Sequence, residues 1–504
     1  MNRTLVSLIA GTAALAAVTG LAALELPGTA APATTEAAAE LPVERTSLIC
    51  PAPSGSELAD TVYTSFTPVT KGAGGRGTAR LTPATEAGTA AGGDKAGGDK
   101  AGGDKKTSKP VLTAKAPGTP ATGTTSGGDD PALVGVAEGG YASGWTLQQT
   151  TEVSAGTGRG LLGVNCTAPD TDFWFPGAST AADRTDYVHL TNPDDSAAVV
   201  DIELYDQEGT LAATAGENLT VKPHSSDPIL LSTLTDKKLD ELTVHVNVRS
   251  GRVAAAVQAL DDKLGGDWLA ATAEPAGSLV IPGIPKDAVS VRLVAFAPGG
   301  SDADLKVQLA SVSGLINPAG HETLHVKAGM TAAADLGDIT RGEAGSLVLT
   351  PTDRSVPVVA AVRVVRGKGD AQESAFIPAT AAVGTRASAV GNSAKGTTLS
   401  LTAPTGTAQV KVTASAGSEG GTPVSKTYTI KSGTTQDITP PAPAGLKGTY
   451  ALTVEHLSGA PVYASRTLRS TDTDTAAFTV QTLPDDHGTV TVPDAREDLT
   501  VLLK

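Results

Sequence analysis

The chain has 504 residues, a formal charge of −15, 40% hydrophobic residues and only 3 Trp, 7 Tyr and 6 Phe. That length leaves room for about three domains, whose cores must be filled by Val, Leu, Ile and Ala. The acidic balance excludes nucleic acid and anionic lipid headgroups as partners, because both demand clustered Lys and Arg.

Residues 1–27 begin with a single basic residue, Arg3, and an uncharged, mostly apolar run from Leu5 to Leu24. As a helix, about twenty such residues rise about 30 Å, the thickness of a bilayer core. This segment predicts export, either as an apolar helix kept in the membrane through residues 5–24 or as a cleaved signal peptide, and its length favours the anchor. Residues 28–44 read as a polar spacer. Residues 45–70 carry the β-branched and aromatic residues of one or two strands. Residues 71–131 are Gly, Ala, Thr, Lys and Pro, with three AGGDK pentapeptides from Ala91 to Lys105. They predict a disordered insertion, since they cannot bury enough apolar surface to offset chain entropy. Cys50 and Cys166 are the only cysteines and, in an exported chain, are expected to form a disulfide that makes this insertion a loop within the first domain.

Past residue 133 the pattern is β throughout, with Val, Leu, Ile and Thr runs of about four to eight residues between Gly, Pro, Asp and Asn breaks. An internal repeat sets the organisation: NLTVKPHSSDPILL, TLHVKAGMTAAADL and TYTIKSGTTQDI recur about every 105 residues. The strand pairs 242–260, 347–365 and 451–468 follow with the same spacing. Repeats of this size predict an all-β protein of three tandem immunoglobulin-like β-sandwiches. Their expected ranges are 45–274 (interrupted by the insertion), 275–379 and 380–504.

Several chemical motifs occur without the context their chemistry needs. His321 to His325, HETLH, fits the zinc-hydrolase signature, which needs a helix so that both imidazoles reach one ion. The repeat places HETLH at the entry of a strand, where residues four apart are separated by about 13 Å. Two G-x-G-x-x-G matches, Gly72 to Gly77 and Gly158 to Gly163, lack the following helix that would hold a pyrophosphate. The acidic pairs Asp194-Asp195, Asp261-Asp262 and Asp485-Asp486 fall at turns without calcium-loop spacing. No catalytic residue, metal or cofactor is assigned.

The segment Cys166-Thr-Ala-Pro-Asp-Thr-Asp-Phe-Trp-Phe-Pro-Gly concentrates scarce aromatics. In a strand Trp174 faces away from Phe173 and Phe175, so one face enters the core and the other covers the strand tethered by Cys50. The functional alternative makes Trp174 with Tyr187 or Trp268 an exposed platform for a sugar ring or a partner protein.

CPAPSG, GRGLLGVNCTAPDTDFWFPG, LTNPDDSAAVVDIELYDQEG and SGRVAAAVQAL together resemble an uncharacterised family of exported actinobacterial proteins, known as a domain of unknown function. The similarity covers the chain past residue 45 and is most specific in WFPG and the C-x-A-P segment. It implies a cell-envelope location and no established activity. The expected function is non-enzymatic: an exported scaffold or protein-interaction component at the outer face of the membrane, with its sandwiches extending outward from the tether. The alternative is an envelope glycan-binding module using the Trp174 region. An extracytoplasmic metal-dependent hydrolase, resting on HETLH alone, ranks last.

Overall fold

The computed structural model describes residues 39–84, 109–470 and 477–492. The apolar run 5–24 and the AGGDK pentapeptides therefore lie outside the described residues. Contacts divide the chain into two units, Met1–Leu41 with Thr491–Lys504, and Pro42–Val490.

Alternating apolar residues and Gly, Pro or Asp turns give an all-β unit of antiparallel strands with a few 3₁₀ turns. Eight large sheets pair face to face, and each pair has the same plan of seven principal strands. The first, fifth and third form one sheet, and the fourth, second, sixth and seventh form the other. Sandwich 1 takes its seven from Arg45–Cys50, Ala59–Phe66, Ala79–Pro83, Ala121–Ser126, Leu133–Glu138, Thr146–Val153 and Gly160–Asn165. The same order runs from Asp172–Ala178 to Gly265–Leu269 in sandwich 2, from Leu279–Ile284 to Glu373–Pro378 in sandwich 3, and from Arg386–Asn392 to Phe478–Thr482 in sandwich 4. Each pair closes on its own core, such as Phe175, Leu190, Ile202, Val244 and Val257 in sandwich 2.

Two expectations are corrected. The range 45–274 holds two sandwiches, each with its own core, and not one. The range 71–131 contains the third and fourth strands of sandwich 1, Ala79–Pro83 and Ala121–Ser126, and not an uninterrupted linker. The physical cause is common to both. The insertion lies between those two strands and stretches the repeat beyond its usual spacing, while ATGTTS stays polar because half its side chains face outward. Cys50 and Cys166 are disulfide-bonded, joining the end of the first strand to the residue after the seventh.

The sandwiches do not extend outward in a line: they close into a ring. In sandwiches 2, 3 and 4 the first strand is bulged, and its bulge glycine, Gly177, Gly283 or Gly391, lies against a side chain of the next sandwich round the ring, Val294, Ser465 or Thr64. Gly283 shows why a glycine stands at this bulge. Its φ is +85°, and a Cβ there would lie 1.9 Å from Ser465 Oγ in sandwich 4. Trp174 reaches Phe296 of sandwich 3, with ring centroids 5.3 Å apart. Ser346 of sandwich 3 shares hydroxyl hydrogen bonds with Thr402 (2.6 Å) and Thr435 (3.0 Å) of sandwich 4. Sandwich 4 then returns to sandwich 1: the Val390 amide donates to Gln148 Oε1 (2.7 Å), and Asn165 donates to the Thr482 carbonyl (2.8 Å). Sandwich 1 meets sandwich 2 through Gln258, which donates to the Pro53 carbonyl (2.9 Å).

The four seventh strands line the middle of the ring, each touching the next and the fourth touching the first. Phe376 from sandwich 3 enters the core of sandwich 2, and Phe478 and Val480 from sandwich 4 enter that of sandwich 3. Asp267 of sandwich 2 is fully buried where the strands converge. Its carboxylate accepts from the Gly163 amide of sandwich 1 (3.0 Å), the Phe376 amide of sandwich 3 (3.3 Å) and Thr479 Oγ1 of sandwich 4 (3.1 Å). One side chain thus ties all four sandwiches. Burial pushes its carboxyl up to about 8, against the pull of these donors.

Candidate functional site

Of the alternative aromatic platform, Trp174 and Trp268 are buried and Tyr187 is half-buried. Trp174 is 9% and Trp268 1% accessible. Trp174 stacks on His245 (3.7 Å between centroids, 7° between planes), which bridges Glu203 (2.8 Å) and Asp172 (2.9 Å). Phe173 and Phe175 enter the core of sandwich 2, as alternation requires. The opposite face, Trp174, covers sandwich 3 and not the strand tethered by Cys50, because ring closure brings Phe296 there. Tyr187 and Trp268 do share a feature: with Gln258 they form one row across the outward face of the second sheet of sandwich 2. That row faces sandwich 1, and Trp268 packs on Ala59, Val153, Leu162 and Val164. Trp174 lies on the other sheet.

HETLH is a turn followed by the strand Thr323–Val326, so the metal-binding helix is absent from this segment. His325 instead pairs with Asp304, 2.8 Å away. Gly158 to Gly163 runs from a turn into a strand. Asp194 pairs with Arg252, and Asp261 caps its own turn by accepting from the amides of Lys263 and Leu264.

A cleft of about 720 Å³ opens between sandwiches 2 and 3, beside the Gly156–Arg159 turn of sandwich 1. Its floor carries Arg292 and Arg363, part of the row in sandwich 3 that corresponds to Tyr187–Gln258–Trp268. There Asp335, Arg292, Arg363 and Phe376 stand directly opposite one another across four strands. Opposed residues of neighbouring strands share a face. Leu293, Val362 and Val364, on the other face, fill the core.

The cleft's cations are mostly neutralised. Arg184 grips the buried Asp186 with two hydrogen bonds (3.0 and 2.8 Å) and lies over the Phe376 ring. Arg292 pairs with Glu241 (2.6 Å), Lys263 with Asp183 (3.6 Å) and Arg159 with Glu373 (3.3 Å). Arg159 also donates to the carbonyls of Lys263, Asp370 and Gln372, stapling sandwiches 1, 2 and 3. Burial pushes the Glu373 carboxyl up to about 7, with Arg159 opposing. Arg363 is different: among the described residues it makes no hydrogen bond or ion pair. Burial depresses its guanidinium, the like charges of Arg184 and Arg292 add to this, and Asp261 and Glu241 only partly offset it. Exposed Asp240, Asp262, Asp335 and Asp370 form the rim.

Sequence reasoning missed this cleft because its walls come from three sandwiches. One signal was present: Arg363 occupies, one repeat later, the position of Gln258, with four apolar residues before it and two after it in its strand.

These features define an all-β protein in which stacked sheets close into a ring and leave a charged cleft at one junction. The chain belongs to the family of unknown function DUF5719, which matches residues 121–441. The match spans every cleft residue and leaves out the first three strands of sandwich 1 and the last strands of sandwich 4. No curated protein matches the chain.

Proposed function

We propose that the protein is an exported, non-enzymatic component of the cell envelope that holds a partner protein in the cleft between sandwiches 2 and 3. Its sandwiches are read as immunoglobulin-like modules, four in number, and the ring they form as a rigid platform. The observation that carries this reading is the unpartnered Arg363 on the floor of a 720 Å³ recess whose walls are fixed by interlocked sheets. Recesses with a few converging polar groups on a preformed frame are the usual form of recognition sites. Export is supported by the apolar run Leu5 to Leu24, by the Cys50–Cys166 disulfide and by the resemblance to exported actinobacterial proteins.

The test is photo-crosslinking from the cleft rim in native membranes, with full-length wild type and an Asp262→Lys/Asp370→Lys double variant. The expected result is one defined envelope protein crosslinked to rim positions and lost in the double variant. The same set of proteins captured by both forms would reject the reading.

A further inference from the structure

We infer that Arg363 is the anchor for a carboxylate of the partner protein, supplied by its chain terminus or an acidic side chain; this rests on reading the cleft as the recognition surface. The argument starts from what the fold tolerates. Four other cations lining the cleft, Arg159, Arg184, Lys263 and Arg292, each have an acid within 4 Å, either in their own sandwich or across a junction that the pair helps to hold. Arg363 is half-buried beside two other arginines, and among the described residues no hydrogen bond or ion pair holds it. The corresponding residue of sandwich 2, Gln258, spends its donor on the Pro53 carbonyl and closes a junction. At the junction of sandwiches 2 and 3, the open cleft leaves Arg363 facing space.

The chemistry of the ligand follows from the guanidinium and from the rim. A planar fork of N–H donors matches a carboxylate through two parallel hydrogen bonds, which a lysine cannot reproduce. Phosphate would satisfy the same fork. However, its second negative charge would sit within the ring of Asp240, Asp262, Asp335 and Asp370, with Asp261 close to the floor. That rim selects a singly charged anion and repels polyanions. It also favours a partner with basic or amide groups around its carboxylate, as a polypeptide has.

Ligand-observed saturation-transfer NMR on the full chain tests this with N-acetyl-glycyl-glycine, its C-terminal amide, D-glucuronate and inorganic phosphate. The acetylated dipeptide is expected to bind wild type, the amide at least about tenfold more weakly, and binding is expected to weaken as salt rises. Arg363→Gln is expected to lose at least about tenfold in affinity, and Arg363→Lys to recover only part of it. Because Arg363 makes no hydrogen bond in the fold, the melting temperature of Arg363→Gln should stay at the wild-type value, which separates loss of binding from loss of folding. Equal binding of acid and amide, tighter binding of phosphate or glucuronate, unchanged binding by Arg363→Gln, or no binding of the dipeptide at about 10 mM would each overturn the assignment. Rim crosslinking run with Arg363→Gln keeps the two readings apart. If the envelope protein still crosslinks while the dipeptide does not bind, the platform stands and the carboxylate anchor falls.

Discussion

Asp267 offers the sharpest test of ring closure. Replacing it with alanine leaves the Gly163 amide, the Phe376 amide and the Thr479 hydroxyl without their acceptor in a site closed to water. A buried donor stripped of its partner costs about 1–3 kcal/mol. Three such donors, less the desolvation cost of holding the carboxyl there, give an expected loss of about 3–5 kcal/mol. Asparagine keeps one acceptor oxygen but turns an NH₂ towards a donor, so about half of that loss is expected. The pH dependence gives an independent arm. The ordinary aspartate value is about 3.9, and burial raises the folded value to about 8. Between those values the folded chain binds a proton that the unfolded chain does not, so this group's contribution is greatest in acid and declines as pH rises towards 8. Chemical denaturation of wild type, Asp267→Ala and Asp267→Asn at several pH values between about 5 and 8.5 measures both effects. The reasoning fails if Asp267→Ala costs less than about 1 kcal/mol, or if the Asn variant keeps the wild-type slope over that range.

Three further outcomes follow from the same geometry. His189 is buried, and burial pushes its imidazole down to about 4, with Gln258 beside it opposing the shift. The unfolded chain therefore binds the extra proton between about 6.5 and 4, stability from this group falls as pH drops through that window, and His189→Phe should flatten the acid limb of a melting-temperature profile. Gly283→Ala should cost about 2–4 kcal/mol, because left-handed backbone strain adds to the contact with Ser465. Gly320→Ala, with φ +80° and nothing within 4 Å of its Cβ, should cost only about 1–2 kcal/mol, and equal costs would contradict the packed bulge. Opening the disulfide with Cys50→Ser/Cys166→Ser, which frees a separation of 116 residues, should lower stability by about 2–4 kcal/mol in denaturant titrations, with the ring still formed.

The all-β class, the Cys50–Cys166 bond and the strand at HETLH were legible in the chain. Each depends on local alternation, turn residues or a count of two cysteines, which are properties of neighbours in sequence. The repeat also located sandwiches 2, 3 and 4, because their connections are short enough to preserve one spacing. Sandwich 1 was hidden by the long connection between Ala79–Pro83 and Ala121–Ser126, although its seven strands pair in the same order as the others. Composition read residues 71–131 as free of strands, and Ala79–Pro83 and Ala121–Ser126, with Leu81 and Leu112 in the core of sandwich 1, correct that reading.

What the tertiary structure alone decided is where each strand's second face goes. Alternation established that Trp174 points away from Phe173 and Phe175, but solvent, the Cys50 strand and a neighbouring sandwich are indistinguishable to a period of two. Ring closure settled it by bringing Phe296 against Trp174. The same closure carried Asp267 to donors from strands that begin at Gly160, Glu373 and Phe478, and left Arg363 facing a cleft. Periodicity in a chain fixes the direction of a side chain relative to its own strand. Its partner is fixed only when distant strands arrive, and in this protein the partners of its buried acid come from three other sandwiches.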